Sequence, residues 1–387
     1  MGSSTQVTSV PFLGPGAAAH SPGVRDRTGK APVSTTDAHG DAERAAMTRA
    51  LELAASDGVP LWPNPRVGCV LLAPDGATIA TGYHRGAGTP HAEADALAQA
   101  GERARGATAV VTLEPCNHSG RTGPCAQALI EAGVRRVVFA QVDPNPLAAG
   151  GAAKLAAAGV EVEQGLLADE ARALNRVWSR AVEQQRPFVT WKFGTTLDGR
   201  SAAADGTSRW VTLRAARRDT HRLRALCDVM LVGTHTVAVD DPELTVRDAE
   251  DRPVGVQPLR VVMGERDLPS SRRVFNDAAE TLHLRTRDPR EALAELWTRE
   301  KRHVFLEGGP TLAAAFLRAG LVDEIVAYVA PLLLGSGRSA VADLGITTIA
   351  DAFRPRVTDV TLLDGVDGDE PNIRFTLEPE RGSGKEI

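Results

Sequence analysis

The sequence predicts two consecutive α/β domains. The chain has 387 residues, which exceeds one ordinary domain. Short apolar runs alternate with helix-favouring segments, and an Arg186-Pro187 step separates two such series. We therefore expect one domain over 39–185 and another over 186–387. Residues 1–38 are rich in Gly, Pro, Ser and Thr without periodicity, and they are predicted to form a flexible tail.

The first domain is predicted to hold a mostly parallel sheet between two layers of helices, because its helices and strands alternate. Pro74-Asp-Gly76 indicates a turn between the first two strands. The predicted helices cover 42–55, 91–102, 125–132, 151–158 and 168–185. The predicted strands cover 67–72, a run ending near Tyr83, 108–113, 136–142 and 160–163.

The second domain shows the same alternation. No G-x-G-x-x-G follows its first strand, so the Rossmann dinucleotide fingerprint is absent. The predicted helices cover 213–226, 290–300 and 312–319. The predicted strands cover 188–193, 229–232, 259–263, 281–284, 303–306 and 324–330.

Composition excludes several classes of function. A net charge of −5 argues against bulk electrostatic binding to nucleic acid. No apolar run approaches the ~20 residues that span a bilayer, and we expect no secretory leader. Four cysteines in so long a chain do not form a disulfide framework, so we expect a reducing, cytoplasmic location. Cys69 and Cys227 lie among apolar residues and are expected in the core.

The clearest chemical motif is His91-Ala-Glu93 followed by Cys116 and Cys125. One imidazole and two thiolates suit Zn²⁺ and leave a fourth position for water, as a catalytic site requires. Cys125 follows Pro124 at a predicted helix start, where the helix dipole stabilises a thiolate. Glu93 can reach an activated water without ligating zinc, so we expect it to be the catalytic acid and base. The sequence thus predicts a hydrolytic deaminase.

Two alternatives remain from these residues alone. The cysteines could be ordinary buried thiols, or they could belong to a structural zinc site closed by His118 or His84. The combination of H-x-E with P-C at helix starts favours the catalytic site.

The motifs resemble those of the bifunctional deaminase/reductase family of riboflavin biosynthesis. In the first domain the resemblance rests on Pro63–Gly68, His91–Glu93, Thr112–Cys116, Gly120–Thr122, Asp143–Pro146 and the eight-residue gap between Cys116 and Cys125. In the second domain it rests on Lys192–Arg200, Ser208–Trp210, Ala216–Asp219, Asp240–Arg247 and Glu307–Thr311. It implies a cytidine-deaminase-like three-layer α/β/α domain followed by a dihydrofolate-reductase-like α/β domain.

The resemblance also implies the reactions. Zinc-dependent deamination would remove the 2-amino group of a ribosylated diaminopyrimidinone 5′-phosphate, and NADPH would then reduce its ribosyl group to ribityl. The partner is thus a small phosphorylated pyrimidine, with no nucleic acid and no membrane, and a homo-oligomer is expected through the reductase domain. The alternatives are an active deaminase with a non-catalytic reductase-like domain, and a nucleic-acid base deaminase with an accessory dimerisation domain.

The cofactor site of the second domain has one local signal. After the strand ending at Leu306, two glycines expose N–H groups before a helix, which suits an anion, although an ordinary strand-to-helix turn looks the same. The resemblance assigns NADPH to Gly194, Trp210, Thr236, Asp240, Gly308, Gly309, Pro310 and Thr311. It assigns the substrate to Ser208, Arg224, Leu244, Arg247 and Glu307.

The substrate arginines suit a phosphate because their planar fork binds oxyanions at two points. For Arg224 a solvated helix face is the alternative, since other arginines crowd its segment. The chain also departs from the family pattern. The loop 147–151 is one residue shorter and lacks an arginine, Gly123 replaces a common proline, and Met263-Gly264 replaces the usual Asp and Ser.

Overall fold

A computed structural model of the chain describes four stretches of residues: 40–56, 62–118, 123–365 and 370–380. The tail predicted over 1–38 lies outside these residues. The first helix begins at Asp41, and the chain from there onward belongs to one compact unit. Within the described stretches, no helix combines the length and the apolar character needed to cross a bilayer.

The first half builds a five-stranded sheet in the order β2-β1-β3-β4-β5. Its helices are α1 (Asp41–Ala54), α2 (Ala92–Ala100), α3 (Cys125–Glu131), α4 (Gly151–Ala157), α5 (Ala168–Leu174) and α6 (Arg176–Gln184). Its strands are β1 (Gly68–Leu72), β2 (Thr78–Tyr83), β3 (Thr108–Leu113), β4 (Arg136–Gln141) and β5 (Glu161–Gln164). The prediction of a mostly parallel sheet is wrong here, because β1 pairs antiparallel with both β2 and β3.

The short connection between β1 and β2 explains this difference. It turns at Pro74-Asp-Gly76, as predicted, and a parallel pair would need a crossover of about a dozen residues. Helices α1 and α5 contact one face of the sheet, and α2 contacts the other face. Val70 packs on the α1 side, whereas Cys69 packs on the α2 side, fully buried. The three-layer α/β/α fold and the core position of Cys69 are thus confirmed.

The single helix predicted over 168–185 is interrupted at Asn175. The backbone N–H of Arg66 donates to Asn175 Oδ1 at 2.9 Å, and Asn175 Nδ2 donates to the Arg66 carbonyl at 2.8 Å. These bonds tie the buried Asn175 to the chain just before β1 and separate α5 from α6. A local helical pattern cannot reveal such a distant partner.

The second half builds an eight-stranded sheet in the order β10-β9-β8-β11-β6-β12-β15-β14. Its strands are β6 (Phe188–Thr196), β7 (Arg200–Ala202), β8 (Val229–Gly233), β9 (Leu259–Met263), β10 (Thr281–Leu284), β11 (His303–Leu306), β12 (Glu324–Ala330), β13 (Arg338–Ser339), β14 (Arg356–Leu363) and β15 (Asn372–Glu378). Its helices are α7 (Arg214–Arg224), α8 (Thr234–Asp240), α9 (Pro289–Thr298) and α10 (Pro310–Arg318). From β10 to β12 all neighbours run parallel, and β15 and β14 extend the sheet antiparallel.

Polar contacts join the two halves. The indole Nε1 of Trp62 donates to the Leu226 carbonyl at 3.0 Å, and its ring meets the His303 ring edge-on at 5.5 Å. Gln184 Nε2 of the first half donates to Asp323 Oδ1 of the second half at 3.2 Å, and Arg176 Nη1 donates to Glu378 Oε1 at 3.2 Å. The halves therefore share a junction formed by side chains of both.

Candidate functional site

The structure brings His91, Cys116 and Cys125 together from three separate segments. His91 caps the start of α2, Cys116 follows β3, and Cys125 is the first residue of α3. Their ligand atoms all lie within 4.8 Å of one another. His91 Nδ1 lies 3.2 Å from Cys125 Sγ and 3.6 Å from Cys116 Sγ. The predicted helix starts are confirmed, although Pro124 occupies the N-cap rather than the first helical position.

The electrostatics of this cluster suit a soft cation. A hydrogen bond from the Cys125 thiol, together with the contact to His91, lowers the pKa of Cys116 to about 4. The same contact raises the pKa of Cys125. The bond to Cys116 also raises the pKa of His91. One nitrogen and two sulfur donors within such a short distance fit tetrahedral zinc.

The alternative of a structural zinc with His84 or His118 as its fourth ligand is wrong within the part of the chain described. His84 is engaged elsewhere, since its Nδ1–H donates to the Pro90 carbonyl at 3.0 Å and its Nε2 lies 2.9 Å from Asn64 Nδ2. His118 does not join the ligand cluster either. Three protein ligands leave one coordination position for water or substrate, as in catalytic zinc sites.

Glu93 lies in the first turn of α2 and is almost completely buried, with 3% of its surface exposed. It lines the same cavity as His91 and Cys116 but is not part of the ligand cluster. Burial raises the pKa of Glu93 to about 7. A carboxyl group with a pKa near neutrality can both accept and release a proton.

The buried Glu114 holds the loop that closes the site. Its carboxylate accepts the backbone N–H groups of Asp143, Gly150 and Ala152 at 3.3, 3.2 and 3.0 Å. A Cβ on Gly151 would lie 1.7 Å from the Pro115 carbonyl oxygen, so only glycine allows the start of α4 to approach the Cys116 loop. The shortened loop 147–151 thus still packs tightly beneath the zinc ligands.

A cavity of about 450 Å³ opens at the cluster. Sequence reasoning missed Asn64 and Asn145 on its wall, although both stand in motifs that it singled out. It also missed Trp297, Glu300 and Arg302, which come from the second half. No local signal could have found these three, because only the packing of the two halves brings them here.

The predicted cofactor residues of the second half gather at the carboxyl ends of β8 and β11. Gly309 is the N-cap of α10, and Pro310 and Thr311 begin that helix. A Cβ on Gly309 would lie 3.9 Å from Thr236 Oγ1 on α8, so the turns after the two strands meet. Gly308 has no room for a side chain, since a Cβ there would lie 2.6 Å from Leu312 Cδ2. Crevices at such strand ends commonly bind nucleotides.

The other predicted cofactor residues lie on three further segments of the second half. The Asp240 carbonyl, at the end of α8, accepts a hydrogen bond from Arg209 Nη2 at 2.9 Å. Trp210 is 61% exposed, and the Arg217 guanidinium lies 4.3 Å from its ring centre. Gly194 lies on β6, beside the Thr212 side chain.

The predicted substrate residues form a polar cluster with Lys192. Arg224 forms a two-point ion pair with Glu307, with N–O distances of 2.7 and 2.9 Å, and also donates to the Thr245 carbonyl. Burial alone would raise the pKa of Glu307, but the charges of Arg224 and Lys192 outweigh it and hold that pKa at about 2. Burial also lowers the pKa of Lys192.

Arg247 stands beside this cluster and is also ion-paired, with Asp251 at 2.8 Å and with Glu243. Leu244 is buried with a left-handed backbone, and the Ser208 carbonyl accepts the Val211 N–H. The ion pair with Glu307 shows that Arg224 does not lie on a solvated helix face. The roles of Ser208, Arg224, Leu244, Arg247 and Glu307 stay predictions.

Met263 and Gly264 replace the Asp and Ser that are usual in the family, and the structure leaves little room for a side chain at position 264. Met263 ends β9 and is buried, and Gly264 has a φ of +131°. A Cβ at Gly264 would lie 2.9 Å from Thr234 Oγ1. The threonine at the start of α8 thus fills the space that a serine at position 264 would need.

Comparison with known proteins decides the family. The family model "Cytidine and deoxycytidylate deaminase zinc-binding region" matches residues 41–141, and "RibD C-terminal domain" matches residues 187–364. Riboflavin biosynthesis protein RibD of Mycobacterium tuberculosis (strain ATCC 25618 / H37Rv) is 51% identical over 294 residues, covering 76% of this chain and 86% of that protein. The chain belongs to the RibD family.

Solved RibD structures share the whole architecture. Acinetobacter baumannii RibD, form 2, is 38% identical with a TM-score of 0.77, covering 88% of this chain and 99% of that one. A Thermotoga maritima diaminohydroxyphosphoribosylaminopyrimidine deaminase/5-amino-6-(5-phosphoribosylamino)uracil reductase is 31% identical with a TM-score of 0.74 and the same coverage.

RibD membership fixes the chemistry of both halves. The chain is a bifunctional enzyme of riboflavin biosynthesis, with a zinc-dependent deaminase and an NADPH-dependent reductase. The predictions of fold class, function and both cofactors are confirmed. The alternative of a nucleic-acid base deaminase with an accessory dimerisation domain is wrong, because a RibD reductase model spans most of the second half.

Proposed function

We propose that the first site removes the 2-amino group of a ribosylated diaminopyrimidinone 5′-phosphate, with zinc held by His91, Cys116 and Cys125. The observation that carries this proposal is the compact His/Cys/Cys cluster beside the buried Glu93. The Thermotoga maritima relative is named as a deaminase of the same class of substrate.

Zinc, when bound, lowers the pKa of a coordinated water to about 7 and so supplies a nucleophile. Glu93 accepts the proton of the attacking water and delivers it to the ring nitrogen and then to the departing amine. A C–O bond forms, the C–N bond breaks, and ammonia leaves. The buried position of Glu93 keeps bulk water from competing for this proton.

In the second site we assign NADPH to the crevice at the ends of β8 and β11. The proposed cofactor residues are Gly194, Trp210, Thr236, Asp240, Gly308, Gly309, Pro310 and Thr311. The proposed substrate residues are Ser208, Arg224, Leu244, Arg247 and Glu307. NADPH supplies the hydride that converts the ribosyl group to ribityl. Lys192 lies in the same polar cluster, where its lowered pKa suits a proton donor to the sugar oxygen.

Two linked assays test the proposed substrate. Purified zinc-loaded enzyme receives the diaminopyrimidinone phosphate, and ammonia is measured before and after NADPH is added. We expect ammonia release without NADPH, and loss of the nicotinamide absorbance band only after deamination. Cytosine in a single-stranded oligonucleotide serves as the negative substrate. Absence of ammonia from the pyrimidine would refute the assignment.

We further infer a reducing, cytoplasmic setting and a homo-oligomer formed through the reductase half. Cys69 and Cys227 are free thiols in the core, which suits a reducing compartment. Edge strand β14 leaves Val357, Val360 and Leu362 more than half exposed, and such an edge offers a pairing surface. Sedimentation of the wild-type protein and of Val360→Lys tests this proposed oligomer. We expect the variant to shift toward monomer, because the substitution places a charge on the exposed edge strand. Neither nucleic acid nor membrane is an expected partner.

A further inference from the structure

The deaminase cavity is closed in part by the reductase half. Besides the zinc cluster and Glu93, its wall includes Trp297 at the end of α9, and Glu300 and Arg302 in the segment before β11. These residues follow the deaminase motifs by well over a hundred positions. The cavity of about 450 Å³ is large enough for a small phosphorylated ligand.

Arg302 is held rigidly on this wall. Its guanidinium carbon lies 3.9 Å from the centre of the Trp297 ring. Its Nη1 donates to the carbonyls of Lys301 at 3.0 Å and Trp297 at 3.4 Å, and its backbone N–H donates to Asp228 at 2.8 Å. A guanidinium fixed in this way loses little freedom when it binds a ligand.

The guanidinium of Arg302 still has N–H groups available as hydrogen-bond donors. Among the described residues, the guanidinium of Arg302 makes no ion pair with a carboxylate, and its hydrogen bonds come from Nη1 alone. Asp228 and Glu300 act on it only at longer range. Burial lowers the pKa of Arg302, so an added anion would relieve a half-buried charge that lacks a direct partner.

The charges around the cavity point to what Arg302 binds. The described lining residues include four carboxylates, on Glu93, Glu114, Asp143 and Glu300. In the same set, Arg302 is the one arginine or lysine. A phosphate dianion in this cavity would gain a charged partner by lying against the arginine fork, which matches phosphate geometry at two points.

We propose that Arg302, supplied by the reductase half, binds the 5′-phosphate of the deaminase substrate. The inference rests on the proposed function of the first site. It makes the second half a determinant of substrate specificity for the deaminase, in addition to its own reaction. Because the phosphate is remote from the reacting amine, Arg302 governs KM rather than kcat.

Deamination kinetics of the full-length enzyme test this, with the phosphorylated pyrimidine and its dephosphorylated nucleoside as paired substrates. For Arg302→Ala we expect KM for the phosphorylated substrate to rise by about 10-fold or more, with kcat and the nucleoside KM within about twofold of wild type. Arg302→Lys keeps the positive charge but loses the planar fork, so its KM for the phosphorylated substrate should lie between those of wild type and Arg302→Ala. The control is Arg299→Ala, which removes an exposed arginine paired with Glu295 outside the cavity.

The outcomes separate the possible failures. An unchanged KM for the phosphorylated substrate in both Arg302 variants would overturn the inference. An equal rise for both substrates would also overturn it, since it would show a structural role instead. If wild type deaminates neither pyrimidine, the proposed function itself fails, and the inference fails with it.

Discussion

At the scale of single residues, a change at Glu93 tests the proposed proton transfer separately from metal binding. Glu93→Gln keeps the size of the side chain but cannot accept a proton. Since Glu93 lies outside the ligand cluster, zinc should remain bound. Acid–base assistance contributes about 10²–10⁴-fold, so we expect ammonia release to fall by at least about 100-fold. Metal analysis and an ammonia assay measure the two effects.

Two comparisons make this result specific. Glu102→Gln changes an exposed glutamate in the turn after α2 and should behave like wild type. The Glu93 variant should still oxidise NADPH when given deaminated substrate, because the reductase residues lie on another sheet. Undiminished ammonia release would contradict the role of Glu93. Loss of both activities in a folded protein would contradict the division into two sites.

Arg247 tests the phosphate end of the reductase site. Its guanidinium is already shared with Glu243 and Asp251 in the ligand-free chain, so a phosphate would complete an existing network. We expect Arg247→Ala to raise the reductase KM by about 10-fold, the lower end for a hydrogen bond to a charged group. Steady-state kinetics with deaminated substrate measure it. Arg252→Ala, in an exposed ion pair of the same loop, is the control. Equal KM values for Arg247→Ala and wild type would remove Arg247 from the site.

The sequence predicted those residues whose chemistry is local. His91, Glu93, Cys116 and Cys125 carry their meaning in residue type and spacing, and the structure brings them together. Asn64 supports the site through His84, which is twenty positions away, and so escaped notice. No pattern in the sequence indicated Arg302 at this site, because Arg302 reaches the deaminase cavity only through the packing of the two domains.

At the scale of elements, helix α4 lies in close contact with the loop that carries Cys116. In Gly151→Ala, the added methyl would collide with the Pro115 carbonyl, so the loop carrying Cys116 must move. We expect weaker zinc retention during dialysis against a chelator, and a loss of about 1–3 kcal/mol in the free energy of unfolding.

The control for this variant is Gly123→Ala in the connection that leads to Cys125. No atom of the described residues lies within 4 Å of a Cβ at that position, so zinc content and stability should match wild type. If Gly151→Ala retains zinc and unfolds as wild type does, the close contact with Pro115 does not position Cys116.

Elements with strong apolar runs were predicted almost to the residue. Strands β3, β9, β10, β11 and β12 have the predicted bounds. Strands β14 and β15 were missed because few of their side chains are buried, so their sequences lack a clear alternation. Strand β14 forms the edge of the sheet and β15 is its neighbour. The short helix α8 was missed because its seven residues carry little periodic signal.

At the scale of the whole molecule, the junction between the halves contains one buried histidine. His303 Nδ1 donates to the Leu226 carbonyl at 3.1 Å, and its Nε2 lies 2.9 Å from Thr190 Oγ1. Its ring contacts Trp62 of the first half and Phe188 of the second. Burial, with a smaller contribution from the charge of Arg176, lowers the pKa of His303 to about 4.

This histidine should make the stability of the molecule depend on pH. Between pH 6.5 and about 4 the unfolded chain binds a proton that the folded chain excludes, so stability falls as pH falls through that window. From pH 7 to pH 5 the loss from His303 is about 2 kcal/mol. Urea unfolding measures the free energy of unfolding at these two pH values. In His303→Gln, its loss between pH 7 and pH 5 should be smaller than in wild type by about that amount. His283→Gln, on the distant strand β10, should keep the wild-type difference. If His303→Gln loses as much stability between pH 7 and pH 5 as wild type does, His303 is not the group that makes the junction sensitive to acid.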